Sequence, residues 1–399
     1  MKYTTILVAS MALSCLTCPV WAENKEPEPA APASVSTDEQ SLSQIALLLD
    51  TSGSMEGLID QARCQLWNVV SELATASKDG SPSRLEIAVY QYGSKQISKE
   101  NGYLRQVIAF TDNLDEVSRA LFSLSVGGGN EFCGQVIDHA LTELEWNPSP
   151  DTYKAVFIAG NESFEQGPVT FGEALPKALS QSVIVNSIYC ASEKQKNGRE
   201  VWDSAATLAG GMYFQINHNH HLPQMKTPFD SQMRELNEQM NQTFVWYGDE
   251  SHHVSENQKN QDANAAEMSD HAFAARMSAK IGHLYHHAHH DLVDALDHGT
   301  VDLATMPEAK MPSLLQKMSP EARMPFLEEK IAERDRVRRQ MADVISKRHA
   351  YLQQKMSEQS GKDGEKIAVL GDALVEAVRK QAIERGFQFK QEEIAQVSN

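Results

Sequence analysis

Three oxygen-bearing side chains, Asp50, Ser52 and Ser54, fall at alternate positions directly after an apolar run in the stretch ALLLDTSGSMEGLIDQA, residues 46–62. Alternate positions of an extended segment point the same way, so one carboxylate and two hydroxyls converge on one concavity. Hard divalent cations take such oxygens as ligands and keep some of their waters. The chemistry is that of a magnesium site, with manganese or calcium as alternatives. Taken alone, D-x-S-x-S is an ordinary turn composition. Its place at the end of a buried strand makes it informative. The rival reading leaves Asp50 as a plain cap of the helix that follows.

A second cluster is the histidine-rich stretch HLYHHAHHDLVDALDH, residues 283–298. Read as one helix, it puts His283, His286, His287, His290, Asp294 and His298 on one face and Leu284, Tyr285, Ala288, Leu292 and Ala295 on the other. Imidazoles one turn apart can chelate zinc, copper or nickel. The amphipathic pattern favours a solvated polar face with no functional metal. His218, His220 and His221 read as part of a polar linker. Enzyme signatures are missing: no G-x-S-x-G, no G-x-x-x-x-G-K and no H-E-x-x-H is present. The absence favours a binding module over an enzyme. Gly127–Gly129 follow a helix-like stretch, which is the wrong context for a dinucleotide fingerprint.

The elements that must position Asp50 alternate in type. Short apolar, Val- and Ile-rich runs predict strands at Gln44–Asp50, Leu85–Gly93, Arg105–Phe110, Lys154–Gly160, Val183–Cys190 and Gly211–Ile216. Helical periodicity predicts Leu58–Ala76, Leu114–Ser123, Cys133–Leu144, Phe171–Ser180 and Val201–Ala209 between them. The alternation implies an α/β fold: a doubly wound, mostly parallel sheet flanked by helices. Ligands of such sheets bind beyond the carboxyl ends of the strands, where Asp50 sits. After residue 217 strand signals end, and an all-α C-terminal region is expected. Ser319 with Pro320 opens one helix running to Met356, and a second runs from about Glu365 to Arg385, stopped by Gly386. Leu327, Ile331, Met341, Val344, Ile345 and Leu352 stripe the first. A hairpin of the two is expected, with a coiled-coil surface for self-association as the alternative.

Composition bounds the partners. The 399-residue chain carries a formal net charge of −18 and is 41% hydrophobic. It has room for a sizeable core, and its charge excludes a nucleic-acid partner, which needs a basic face. Lys2 and the apolar run TTILVASMALSCLTCPV, closed by Val20 and Ala22, read as a secretory signal cut after Ala22. The expected location is periplasmic or secreted, with no transmembrane segment after cleavage. Cys64, Cys133 and Cys190 then remain in an oxidising compartment. The expected organisation is a signal over residues 1–22, a Pro- and Ala-rich disordered lead over 23–42, the α/β domain over 43–217, a linker over 218–228 and the helical region over 229–399.

The stretch LLLDTSGSM resembles the opening of a von Willebrand factor A domain, whose metal-ion-dependent adhesion site begins with that motif. The resemblance implies that Asp50, Ser52 and Ser54 form a first metal loop. It implies a second loop in SVGGGNEFCG, residues 125–134, where Asn130 stands at the usual Thr and Glu131 beside it. It implies a third loop in FIAGNESFEQG, where Gly160 occupies the usual Asp position and Asn161 or Glu162 is left to replace it. A closer likeness, through GGGNE-aromatic-CG, FIAGNE and QGPV, is to exported bacterial A-domain proteins with a helical extension. The implied function is binding of a protein partner that presents an acidic residue to the ion. A metal-dependent hydrolase at the same site and a histidine-rich periplasmic metal-binding protein are the alternatives. Cys133, after the second loop, and Cys190, ending the fifth strand, fall on the same sheet edge and are the preferred disulfide, leaving Cys64 buried in the first helix.

Overall fold

The computed structural model describes residues 41–191, 198–218, 225–359 and 370–389. The signal and most of the lead, the linker histidines His220 and His221, and the start of the last helix lie outside these residues. The strands are β1 Leu42–Asp50, β2 Ala76–Lys78, β3 Ser81–Pro82, β4 Arg84–Tyr92, β5 Leu104–Thr111, β6 Tyr153–Gly160, β7 Ile184–Cys190, β8 Tyr213–Ile216 and β9 Gln388–Phe389. The helices are α1 Glu56–Leu73, α2 Leu114–Phe122, α3 Cys133–Glu143, α4 Phe171–Ser180, α5 Arg199–Leu208, α6 Asp230–Asn241, α7 Ser251–Met268, α8 Asp270–Lys280, α9 Leu292–Asp297, α10 Ser313–Gln316, α11 Pro320–Gln359 and α12 Leu370–Glu384.

Six strands form one sheet in the order β5-β4-β1-β6-β7-β8, all parallel except β5. The fold is the expected mostly parallel sheet flanked by helices, followed by a helical C-terminal region. β1 lies in the middle, and all nine of its residues are buried. Its pleat divides the core. Ile45, Leu47 and Leu49 pack toward α1, whose Leu58, Ala62, Leu66, Val69 and Leu73 recur at helical spacing. Ala46 and Leu48 face Val136, Ile137 and Ala140 of α3.

The expected helical hairpin does not form. α11 packs on α6, α8 and α9, and α12 returns to lie against α1 and the sheet. Leu370, Leu374 and Val378 of α12 join the α1-side core, each worth about 1.5–3 kcal/mol when fully buried. Gln381 of α12 accepts from Tyr153 Oη at 2.9 Å and donates to Asn186 Oδ1 at 2.6 Å. The stripe of α11 is occupied within the chain: Val337, Met341, Val344 and Ile345 meet Met233, Met240, Phe273 and Met277. No coiled-coil face is thereby presented by these residues.

The histidine stretch is also not one helix. Residues 281–291 run through turns, and only Leu292–Asp297 is helical. The face expected to be solvated is partly buried, with His287 and Asp294 nearly inaccessible, as is the neighbouring Asp291. The reason is a partner far along the chain: Arg334 donates to Asp291 Oδ2 at 2.7 Å and Asp294 Oδ1 at 2.6 Å. Asp291 also caps α9 through Asp294 N. A second buried ionic group ties the helical region to α2. Arg276 bonds Asp115 and Asp262, each at 2.7 Å, and Lys280 bonds Asp262 at 2.8 Å. The Arg276 guanidinium lies 4.7 Å over the Trp67 ring.

Candidate metal centre at the sheet edge

β1 delivers Asp50 to the carboxyl edge of the sheet with no exposed surface. The chain turns there because Ser52 N donates to Asp50 Oδ1 at 2.7 Å, an Asx-type bond. Thr51 is held from three sides. Its N and Oγ1 both donate to Tyr92 O, at 2.8 and 3.0 Å, and its carbonyl accepts from Gly127 N at 2.8 Å. The second loop therefore abuts the first. Gly93, with φ +82°, lies between them: a Cβ there would stand 2.7 Å from Asp50 Oδ1 and 3.1 Å from Glu131 Cγ. That close approach brings Glu131 beside Asp50, where the Ser52 hydroxyl bonds both carboxylates.

The third loop is anchored from below. Phe164 is buried between Phe171 and Trp202, with ring centroids 5.0 and 4.6 Å away. Trp202 Nε1 donates to Glu162 O at 2.8 Å. Asn161 is thereby turned inward, and its Nδ2 reaches Ser54 Oγ at 3.4 Å. Glu162 is exposed and accepts from Gln166 Nε2 at 3.2 Å. Asn130 is exposed on the second loop. The site thus gathers Asp50, Ser52, Ser54, Glu131 and Asn161, with Asn130 and Glu162 at its rim.

Two features of this edge fit a divalent cation. Asp50 Oδ2 and Asn161 Oδ1 are buried acceptors with no hydrogen-bond partner. Such atoms are costly unless something satisfies them. Charge points the same way. Burial lifts the Asp50 carboxyl to about 6, against the Ser52 bonds that pull it down. Burial, then the charges of Asp50 and Glu162, lift Glu131 to about 7. The donor set is oxygen throughout, which suits magnesium, manganese or calcium. Among the described residues no three His, Cys, Asp or Glu side chains converge as a metal cluster, so hydroxyl and carboxamide oxygens must complete any shell here.

Gly160 explains the departure in the third loop. A Cβ at this position would stand 2.4 Å from Tyr92 Oη and 3.1 Å from both Asp50 Cβ and Oδ2. The Tyr92 hydroxyl fills the space that a side chain would need. His218, read from sequence as linker, is 9% exposed and hydrogen-bonds the backbone of Ser54 and Cys190. It ties the Asp50–Ser54 turn to the end of β7. The only signal for it in the sequence was a histidine two residues beyond β8.

The expected Cys133–Cys190 disulfide is absent: both are free buried thiols, and Cys64 is free as well. Cys133 sits on α3 in the core on one side of the sheet, while Cys190 points into the core on the α1 side. They share an edge but not a face. Burial raises both thiols far above their usual range.

The family model for the von Willebrand factor type A domain matches residues 44–200. Among solved structures, an aerotolerance-related membrane protein from Bacteroides fragilis NCTC 9343 is 16% identical, with a TM-score of 0.30, over 44% of this chain and 92% of that one. The SpRpn10 VWA domain is 12% identical, with a TM-score of 0.33, over 44% and 88%. Proximal thread matrix protein 1 from the mussel byssus, in a form with a zinc-occupied MIDAS motif, is 13% identical, with a TM-score of 0.32, over 44% and 42%. No curated protein matches the chain.

Proposed function

Because residues 44–200 are a von Willebrand factor type A domain, we propose that this chain is an exported binding protein that captures an acidic side chain of a partner protein through a divalent cation, magnesium by preference. The observation that carries the reading is the pair of buried, unpartnered oxygens at this edge, Asp50 Oδ2 and Asn161 Oδ1. Asp50, Ser52 and Ser54 would hold the ion, with Asn161 in place of the carboxylate that Gly160 excludes. When bound, the ion supplies positive charge on a chain whose net charge is −18 and which otherwise repels acidic partners. Glu131 is engaged by the Ser52 hydroxyl and Glu162 by Gln166. Neither carboxylate is thereby committed to neutralising the ion, and both tune its residual charge. Asn130, exposed beside them, lies where a partner would approach. Export rests on the N-terminal signal pattern; among the described residues no helix is long and apolar enough to cross a membrane.

The test is an affinity capture from envelope extract with the full-length chain, in magnesium and in EDTA, beside Asp50→Ala. Capture is expected in magnesium alone, with the variant behaving as the wild type does in EDTA. A partner that binds equally well in EDTA, or to Asp50→Ala, refutes the mechanism.

A further inference from the structure

A second cluster lies at the opposite end of the sheet. His283 Nε2 meets Ser83 O at 3.1 Å, just before β4 begins, so the turns of residues 281–291 sit at the amino edge of the parallel strands. Within them the His286 ring is half-buried, and its Nδ1 is buried with no hydrogen-bond partner. His298, exposed at the C-cap of α9, brings its ring to a centroid distance of 4.5 Å at an interplanar angle of 40°. We propose that His286 and His298 form a transition-metal site, for zinc(II), copper(II) or nickel(II), separate from the Asp50 edge.

The buried, unpartnered Nδ1 of His286 beside a second imidazole carries the argument, and the spacing is compatible with a shared ion. A metal–nitrogen bond of about 2.0–2.1 Å places an imidazole centroid about 3.1 Å from the ion. Two rings meeting at an angle between a right angle and the tetrahedral one then have centroids about 4.4–5.1 Å apart. The observed 4.5 Å lies within that range. Two imidazoles merely in contact would leave the buried Nδ1 of His286 unsatisfied, whereas a metal bond uses its lone pair. Asp112, on the turn between β5 and α2, is near enough for its charge to favour a cation at His286. Asp294 is not a ligand, because Arg334 and the backbone N–H of His287 already occupy it. With no third His, Cys, Asp or Glu converging among the described residues, water fills the remaining positions, and the ion is exchangeable.

The experiment is a calorimetric titration of the full-length chain with zinc(II) in excess magnesium, added to compete for the oxygen-rich edge. One equivalent should bind. His298→Gln, which changes an exposed side chain, should weaken zinc at least tenfold, and His286→Gln should do the same. His289→Gln, on the exposed neighbour, should leave the isotherm unchanged. Copper(II) resonance spectra should show coupling to two nitrogens in the wild type and one in His298→Gln. An isotherm indifferent to both His286→Gln and His298→Gln overturns the site. So does one weakened equally by His289→Gln, which would mean adventitious binding by surface imidazoles only.

Discussion

Gly160→Ala should destabilise the fold through Tyr92. The added Cβ would lie 2.4 Å from Tyr92 Oη and 3.1 Å from Asp50 Cβ and Oδ2. Tyr92 has nowhere to go: it is fully buried, its hydroxyl donates to Ala159 O at 3.0 Å, and Cys133 Sγ lies 3.9 Å away. Overpacking of this kind costs about 1–3 kcal/mol. Tyr92→Phe alone removes one buried hydrogen bond, a loss of about 0.5–1.5 kcal/mol. In the double variant the offending oxygen is gone. The remaining contacts with Asp50 need a shift of only a few tenths of an ångström. The two losses should therefore fall short of additive by about 1–2 kcal/mol, within the range of coupled neighbours. Urea unfolding of the four proteins measures the cycle. Additivity within about 0.5 kcal/mol, or a neutral Gly160→Ala, refutes the claim that Tyr92 is what excludes a side chain from the third loop. The cycle reads packing alone and requires no metal.

Three further outcomes are expected. Arg276→Met leaves the buried Asp115 without its main counter-charge and Asp262 with Lys280 in place of two cations, and the variant should lose about 3–5 kcal/mol by denaturant unfolding; a loss below about 1 kcal/mol contradicts the ionic account. The Asp262 carboxyl, which burial alone would raise, is held down at about 2 by the charges of Lys280 and Arg276. Its stabilisation is present above the ordinary aspartate value of 3.8 and is lost as pH falls toward 2. The loss is worth about 2–3 kcal/mol, and acid melts of wild type against Asp262→Asn should show a shallower decline in the variant. Cys133 and Cys190, both buried, should resist alkylation in the native protein and react fully in denaturant without reductant; recovery of a bridged peptide would reinstate the disulfide.

Much of the α/β layout was legible because local pattern and global placement agree. β1 is buried at every position since both its faces are covered, so the unbroken apolar run from Ile45 to Leu49 announces a central strand. The predicted strands match β1 and β4–β8 to within a few residues, and the helices between them α1–α5. The turn at the end of β1 was equally legible, because Asp50, Ser52 and Ser54 are neighbours in the chain and an Asx bond from Ser52 N to Asp50 opens it.

What the tertiary structure alone decided are matters of face and of distant partner. Cys133 and Cys190 reach one edge, yet strand alternation turns Cys190 to the side of the sheet away from α3. Position 160 is glycine because Tyr92, on a strand 67 residues before Ala159, sends its hydroxyl into that space. His287 and Asp294 read as solvated because a helical wheel knows only its own segment; Arg334, 40 residues after Asp294, makes burial of the carboxylate affordable. α12 read as the mate of α11 by proximity in sequence, while in the fold it buries its apolar face on the flank of the sheet beside α1. Periodicity reports which side of an element is apolar, and only the assembled chain determines what that side meets.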